Sequence, residues 1–103
     1  MKDKLLEIIN HYGIDKQLKY IHSEYFELDE AIIVDNWSKD ILNDKEYKEC
    51  RKDNIEHIAE ELADVMVMLK QFQYYYEISD EEIEKIMQEK VDRQLERIKD
   101  ENR

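Results

Sequence analysis

One glycine and no proline among 103 residues leave this chain almost no means of making a tight β-turn. Its apolar residues recur at a helical rather than an alternating period, so the fold class is all-α. The length, 1–103, is that of a single domain. A domain this small buries only about 60–65% of its unfolded surface, which makes a second copy a natural source of further burial.

Four helices can be placed from period and caps. "MKDKLLEIINHY" carries Leu5, Ile8, Ile9 and Tyr12 on one side and is stopped by Gly13. Asp15 is a candidate cap for a second helix over 16–36, with Leu18, Ile21, Tyr25, Leu28 and Ile32 as its stripe. "WSKDILNDKEYKECRKD" has no sustained stripe and reads as a connection, with room for a short helix around Asp40 to Tyr47. Asp53 followed by Glu56 resembles a capping-box start for a third helix, carrying Ile55, Ile58, Leu62, Val65, Leu69 and Phe72 to about Tyr76. Ser79 with Glu82 is a cleaner box, and opens a fourth helix on Ile83, Met87, Val91, Leu95 and Ile98. Four helices with one long connection predict a small four-helix bundle.

A net charge of −11 argues against a nucleic-acid polymer as partner, because phosphate neutralisation needs Lys and Arg. It argues equally against an anionic membrane surface. Cys50 is the only cysteine, so neither a disulfide framework nor a cysteine zinc site is expected. No N-terminal apolar run resembles a signal peptide and no run approaches the ~18 apolar residues of a spanning helix. The expected location is cytoplasmic.

The segment "AEELADVMVML", 59–69, places acids in a stretch that otherwise favours burial. Glu61 and Asp64 form an ExxD pair; Glu24 and Glu27, in "SEYFELDEAI", form an ExxE pair on the second helix. Residues three apart on a helix are neighbours, so each pair can offer two carboxylates to one cation. Spacing alone proves little: 27 acids among 103 residues give roughly seven such pairs by chance, most of them solvated. Angular position is more telling. At ~100° per residue, both pairs fall beside the apolar stripes, whereas Asp29 and Glu60 fall further round. Packed helices would then gather four carboxylates, and two unit charges about 4 Å apart repel by ~4 kcal/mol at an effective dielectric of 20. Raised pKa values or divalent cations must relieve this. Oxygen-only ligands favour Mg²⁺, with Mn²⁺ as substitute, over zinc.

"QLKYIHSEYFELDEAI" followed by "IEHIAEELADVMVMLKQF" resembles the MazG-like members of the all-α nucleoside triphosphate pyrophosphohydrolase superfamily. The similarity runs from about Gln17 to Arg97, since "EKVDRQLERI" also fits, although Ser23 stands where the family usually has the first Glu of EExxE. It implies a catalytic metal site on Glu24, Glu27, Glu61 and Asp64. It implies a homodimer or homotetramer, and Mg²⁺-dependent cleavage of a nucleoside triphosphate to the monophosphate and pyrophosphate. It also implies phosphate contact by Lys90, Arg93 and Arg97, which otherwise read as a solvated basic edge.

His57 lies one turn before Glu61 and reads as a helix-start or supporting residue rather than a ligand. Trp37 and Tyr74–Tyr76 could stack on a base, while the tyrosine run also suits a dimer interface. Met66 and Met68 are expected in the core. The alternatives within the class are dUTP, dCTP or phosphoribosyl-ATP pyrophosphohydrolase. Outside it stands a non-catalytic acidic helical interaction protein.

Overall fold

The structure is a computed structural model in which residues 1–102 are described, and those residues are helical with no strand. The helices are α1 (Lys2–Tyr12), α2 (Ile14–Ile41), α3 (Asp44–Tyr75) and α4 (Asp80–Glu101). α1 to α3 pack on one another, whereas α4 packs on none of them. The expected bundle is thus met by three helices within one chain, and the fourth projects.

Gly13 joins α1 to α2 without a loop. At φ +87° and ψ 154° it occupies backbone space that is essentially closed to other residues. Its N–H donates to the Ile9 carbonyl at 2.8 Å and its own carbonyl accepts from the Gln17 N–H at 3.1 Å. Asp15 is not the cap; it lies in the first turn of α2, where its charge offsets unpaired N–H groups.

The long polar connection expected over 37–53 is helix almost throughout. α2 continues to Ile41, and only Leu42 and Asn43 separate it from α3. Asn43 supplies the box that the sequence offered at Asp53. Its side chain accepts from the Glu46 N–H at 2.9 Å, and the Glu46 carboxylate accepts from the Asn43 N–H at 3.3 Å. A two-residue link makes α2 and α3 an antiparallel hairpin.

Behind that turn the hairpin is fastened by Asp35. Its carboxylate accepts from the Tyr47 hydroxyl at 3.0 Å and from Asn54 Nδ2 at 3.2 Å, with Lys39 Nζ 3.5 Å away. Burial pushes this carboxyl up, but the bonds from Tyr47 and Asn54 and the Lys39 charge outweigh burial and hold it below its ordinary value.

Leu5 and Ile9 of α1, Ala31 of α2, and Val65 and Met68 of α3 form the buried apolar core. Several residues read as core face outward instead. Leu18, Tyr25 and Ile32 are exposed, as are Leu62, Met66 and Leu69. The inward line of α2 is Gln17, Glu24, Ala31 and Asp35. Seven-residue steps keep 17, 24 and 31 on one line, and the same steps put 18, 25 and 32 on the adjacent one. One strip of α2 therefore serves the hairpin while its neighbour stays uncovered.

Ser79 caps α4 as expected, accepting from the Glu82 N–H at 3.1 Å. Asp80 ties the start of α4 to the end of α3. Its Oδ1 accepts from Lys70 Nζ and Gln73 Nε2, both at 2.8 Å, and from the Tyr74 hydroxyl at 2.9 Å. These bonds, that from Lys70 foremost, hold the Asp80 carboxyl down to about 2. Stability from this corner is present above the usual value of 3.8 and is lost as pH falls through about 2. Asp80→Asn should lower amide protection factors over 80–84 several-fold at pH 7. It should also abolish the further loss that the unsubstituted chain shows between pH 4 and 2, as read by hydrogen exchange.

Candidate metal centre

Glu24 and Glu27 stand one turn apart on α2, and Glu61 and Asp64 one turn apart on α3. The hairpin sets the two pairs against each other. One oxygen from each of the four carboxylates lies within 4.8 Å of all the others. Depth differs around the cluster: Glu24 is only 6% exposed and Glu61 is half-buried, while Glu27 and Asp64 are exposed. Glu24 is therefore not at the rim of the packed face, as its angle beside the Tyr25 stripe implied, but within it.

Two oxygens are sealed from solvent with no hydrogen-bond partner, Glu24 Oε2 and Glu61 Oε2. A buried acceptor without a donor is costly, and more so when it carries charge. Its withdrawal from water pushes the Glu61 carboxyl above its ordinary value, and the Glu27 and Asp64 carboxylates push the same way; His57 opposes them. The Glu24 carboxylate also holds the Tyr20 phenol above its ordinary value.

Four clustered carboxylates, two with orphaned oxygens and none with a nitrogen or sulfur neighbour in the set, fit a hard divalent cation such as Mg²⁺ or Mn²⁺.

Grooves open on both sides of the cluster. One, of about 390 Å³, lies between α1, α2 and α3 on the Glu24 and Asp64 side. The other, of about 910 Å³, lies on the Glu27 and Glu61 side and includes Trp37 and His57. Neither His57 nor Trp37 belongs to the cluster.

Lys90, Arg93 and Arg97 are exposed on α4, so a single chain does not gather them around the acids. The tyrosine run is divided. Tyr74 bonds Asp80 within the chain, while Tyr75 and Tyr76 are exposed with rings edge to face at 5.1 Å.

Sequence reasoning passed over Gln17, Tyr20, Gln71 and Asp35. The available signal was the seven-residue line 17–24–31, which places Gln17 in register with Glu24; apolar stripes alone conceal it. Comparison with protein-family models, with curated proteins and with solved structures returns no match.

Proposed function

We propose that this chain is a Mg²⁺-dependent nucleoside triphosphate pyrophosphohydrolase, converting a (d)NTP to the (d)NMP and pyrophosphate, as the MazG-like proteins it resembles do. The observation that supports this most is the four-carboxylate cluster with two buried, partnerless oxygens. Glu24, Glu27, Glu61 and Asp64 hold the cation. When bound, Mg²⁺ or Mn²⁺ neutralises phosphate oxygens and lowers the pKa of a water. Ser23 offers no carboxylate, so no separate general base is assigned; a carboxylate near Ser23 is the candidate to take the proton of the attacking water. The location that accords with this activity is the cytoplasm. No helix among the described residues is long and apolar enough to cross a membrane.

Lys90, Arg93 and Arg97 are assigned to the phosphates, where a guanidinium suits bidentate contact. Because α4 packs on none of the other helices, that charge must come from a second copy or from α4 folding back. The uncovered residues favour a second copy. Val91, Leu95 and Ile98 of α4 are about half exposed, as are Tyr25 of α2 and Met66 of α3. Exposed apolar surface on this scale marks an association face. Light scattering at micromolar concentration should therefore give the mass of a homodimer or homotetramer rather than the 12.7 kDa of one chain.

Turnover measured side by side on the eight common (d)NTPs and phosphoribosyl-ATP tests the activity, and also distinguishes broad use from a dUTP, dCTP or phosphoribosyl-ATP enzyme. Thermal melting with millimolar Mg²⁺ or Mn²⁺ separates it from a non-catalytic interaction protein. A cation at a hundred times its dissociation constant stabilises by ~2.7 kcal/mol. A melting point that ignores both metals, with no turnover, would leave the interaction protein.

A further inference from the structure

Polar side chains bridge α2 and α3 at both ends of their packed length. At the open end Gln17 Nε2 donates to Gln71 Oε1 at 2.8 Å, with the Met68 sulfur 3.7 Å from Gln71 Nε2. At the turn end Asp35 accepts from the Tyr47 hydroxyl at 3.0 Å and from Asn54 Nδ2 at 3.2 Å. The bridging groups lie deep: Gln71 is 1% exposed, Gln17 5% and Asp35 8%. A buried amide pair adds little net stability, and two apolar side chains of the same shape would serve at least as well. Their place on the seam between the helices calls for a reason other than stability.

The carboxylate cluster lies midway between the two bridges. Gln17 is seven residues before Glu24 and Gln71 seven after Asp64, while Asp35 is eight after Glu27 and Asn54 seven before Glu61. Each bridge is thus two helical turns, about 10–12 Å, from the acids. Apolar residues fill the seam between: Ala31, Val65 and Met68 are buried, and Ile21, Leu28 and Ile58 half-buried. Apolar contact is non-directional, so it holds two helices together without fixing how far each slides or rolls. The acids press for such movement. One oxygen from each lies within 4.8 Å of the others, and Glu24 Oε2 and Glu61 Oε2 are sealed with no donor to offset their charge. A roll of either helix would part them. Hydrogen bonds resist it because they are directional, and a buried polar group on a helical seam specifies register.

We infer that Gln17 with Gln71, and Asp35 with Tyr47 and Asn54, are positioning residues that hold the ExxE pair of α2 in register with the ExxD pair of α3, keeping the cluster assembled for a divalent cation. This role rests on the cation site proposed above and names the groups that keep it in shape. None of them belongs to the cluster, so they act through the helices and not on the ion. A site already closed asks for no rearrangement when the ion enters, and the stability forgone on the seam reappears as cation affinity.

Gln17→Leu combined with Gln71→Leu separates this role from plain packing. It replaces both partners by apolar groups of similar volume, so without metal the paired variant should melt no lower than the parent. Its Mn²⁺ dissociation constant, read by titration calorimetry on the folded chain, should nonetheless rise about tenfold or more. Gln17→Leu alone leaves the Gln71 carbonyl without its donor, and should melt ~5 °C lower. Tyr47→Phe combined with Asn54→Leu removes only neutral groups at the turn end, and should weaken Mn²⁺ binding severalfold. The inference is overturned if either paired variant binds Mn²⁺ as the parent does, or if Gln17→Leu with Gln71→Leu melts below the parent. A parent chain that takes up no Mn²⁺ overturns the cation site itself, whereas a parent that binds, matched by its variants, overturns the bridges alone.

Discussion

Asp64→Asn should lower the proposed nucleoside triphosphate turnover about a hundredfold or more, because it removes one charge from the set proposed to hold the cation. Shape and hydrogen-bonding capacity stay nearly the same, so the loss is electrostatic. Asp64 is exposed and its oxygen lies within 4.8 Å of those of Glu24, Glu27 and Glu61. Without metal, the variant should be at least as stable as the parent, since one repelling charge has gone. With Mg²⁺ it should gain little, whereas the parent gains clearly. Glu60→Gln is the control: Glu60 is adjacent to Glu61 in sequence but exposed and outside the cluster. Equal losses from both substitutions would refute the site.

Ile9→Ala should cost about 2–5 kcal/mol in urea unfolding followed by circular dichroism. Ile9 has no exposed surface, and it belongs to a core in which α1 contributes only one other buried apolar residue, Leu5. Domains of this size have total stabilities of ~5–15 kcal/mol, so the variant should approach the unfolding threshold. A midpoint that hardly moves would mean that α1 is not fastened to α2 and α3 as the structure has it. Titrating protein concentration alongside distinguishes core loss from loss of association, which depends on concentration.

The helical class could be read from the scarcity of Gly and Pro, and the ExxE and ExxD pairs from helical phase, because both depend only on local chemistry. The α2–α3 turn could not be read so easily. Apolar periodicity fades over 37–53 since much of that stretch lies beyond the packed core, yet helix persists there on capping and the Asp35 fastening. Asn43 and Glu46 carried the box all along, but Asp53 and Glu56 have the same spacing next to a stronger apolar run. Nor did the stripes reveal which of two adjacent faces is covered. A line of Gln, Glu, Ala and Asp has little hydropathy contrast, and its burial depends on partners from α1 and α3. The orphaned oxygens of Glu24 and Glu61 are likewise a product of packing depth, which no spacing encodes.

α4 has a capped start, acids in its first turn and Lys99 in its last, so it has the local means to hold 22 residues in a helix. Such a segment is nonetheless marginal in water without a surface to lie on. If it lies on a second copy, as proposed, its order is tied to dilution: as copies become scarce it frays from Glu101 back toward the Asp80 anchor, and as they become plentiful it sets, holding the cations of Lys90, Arg93 and Arg97 in fixed places. If those cations serve the phosphates of a neighbouring copy, activity per molecule rises with the amount of protein present. The projecting helix would then make the protein a gauge of its own abundance.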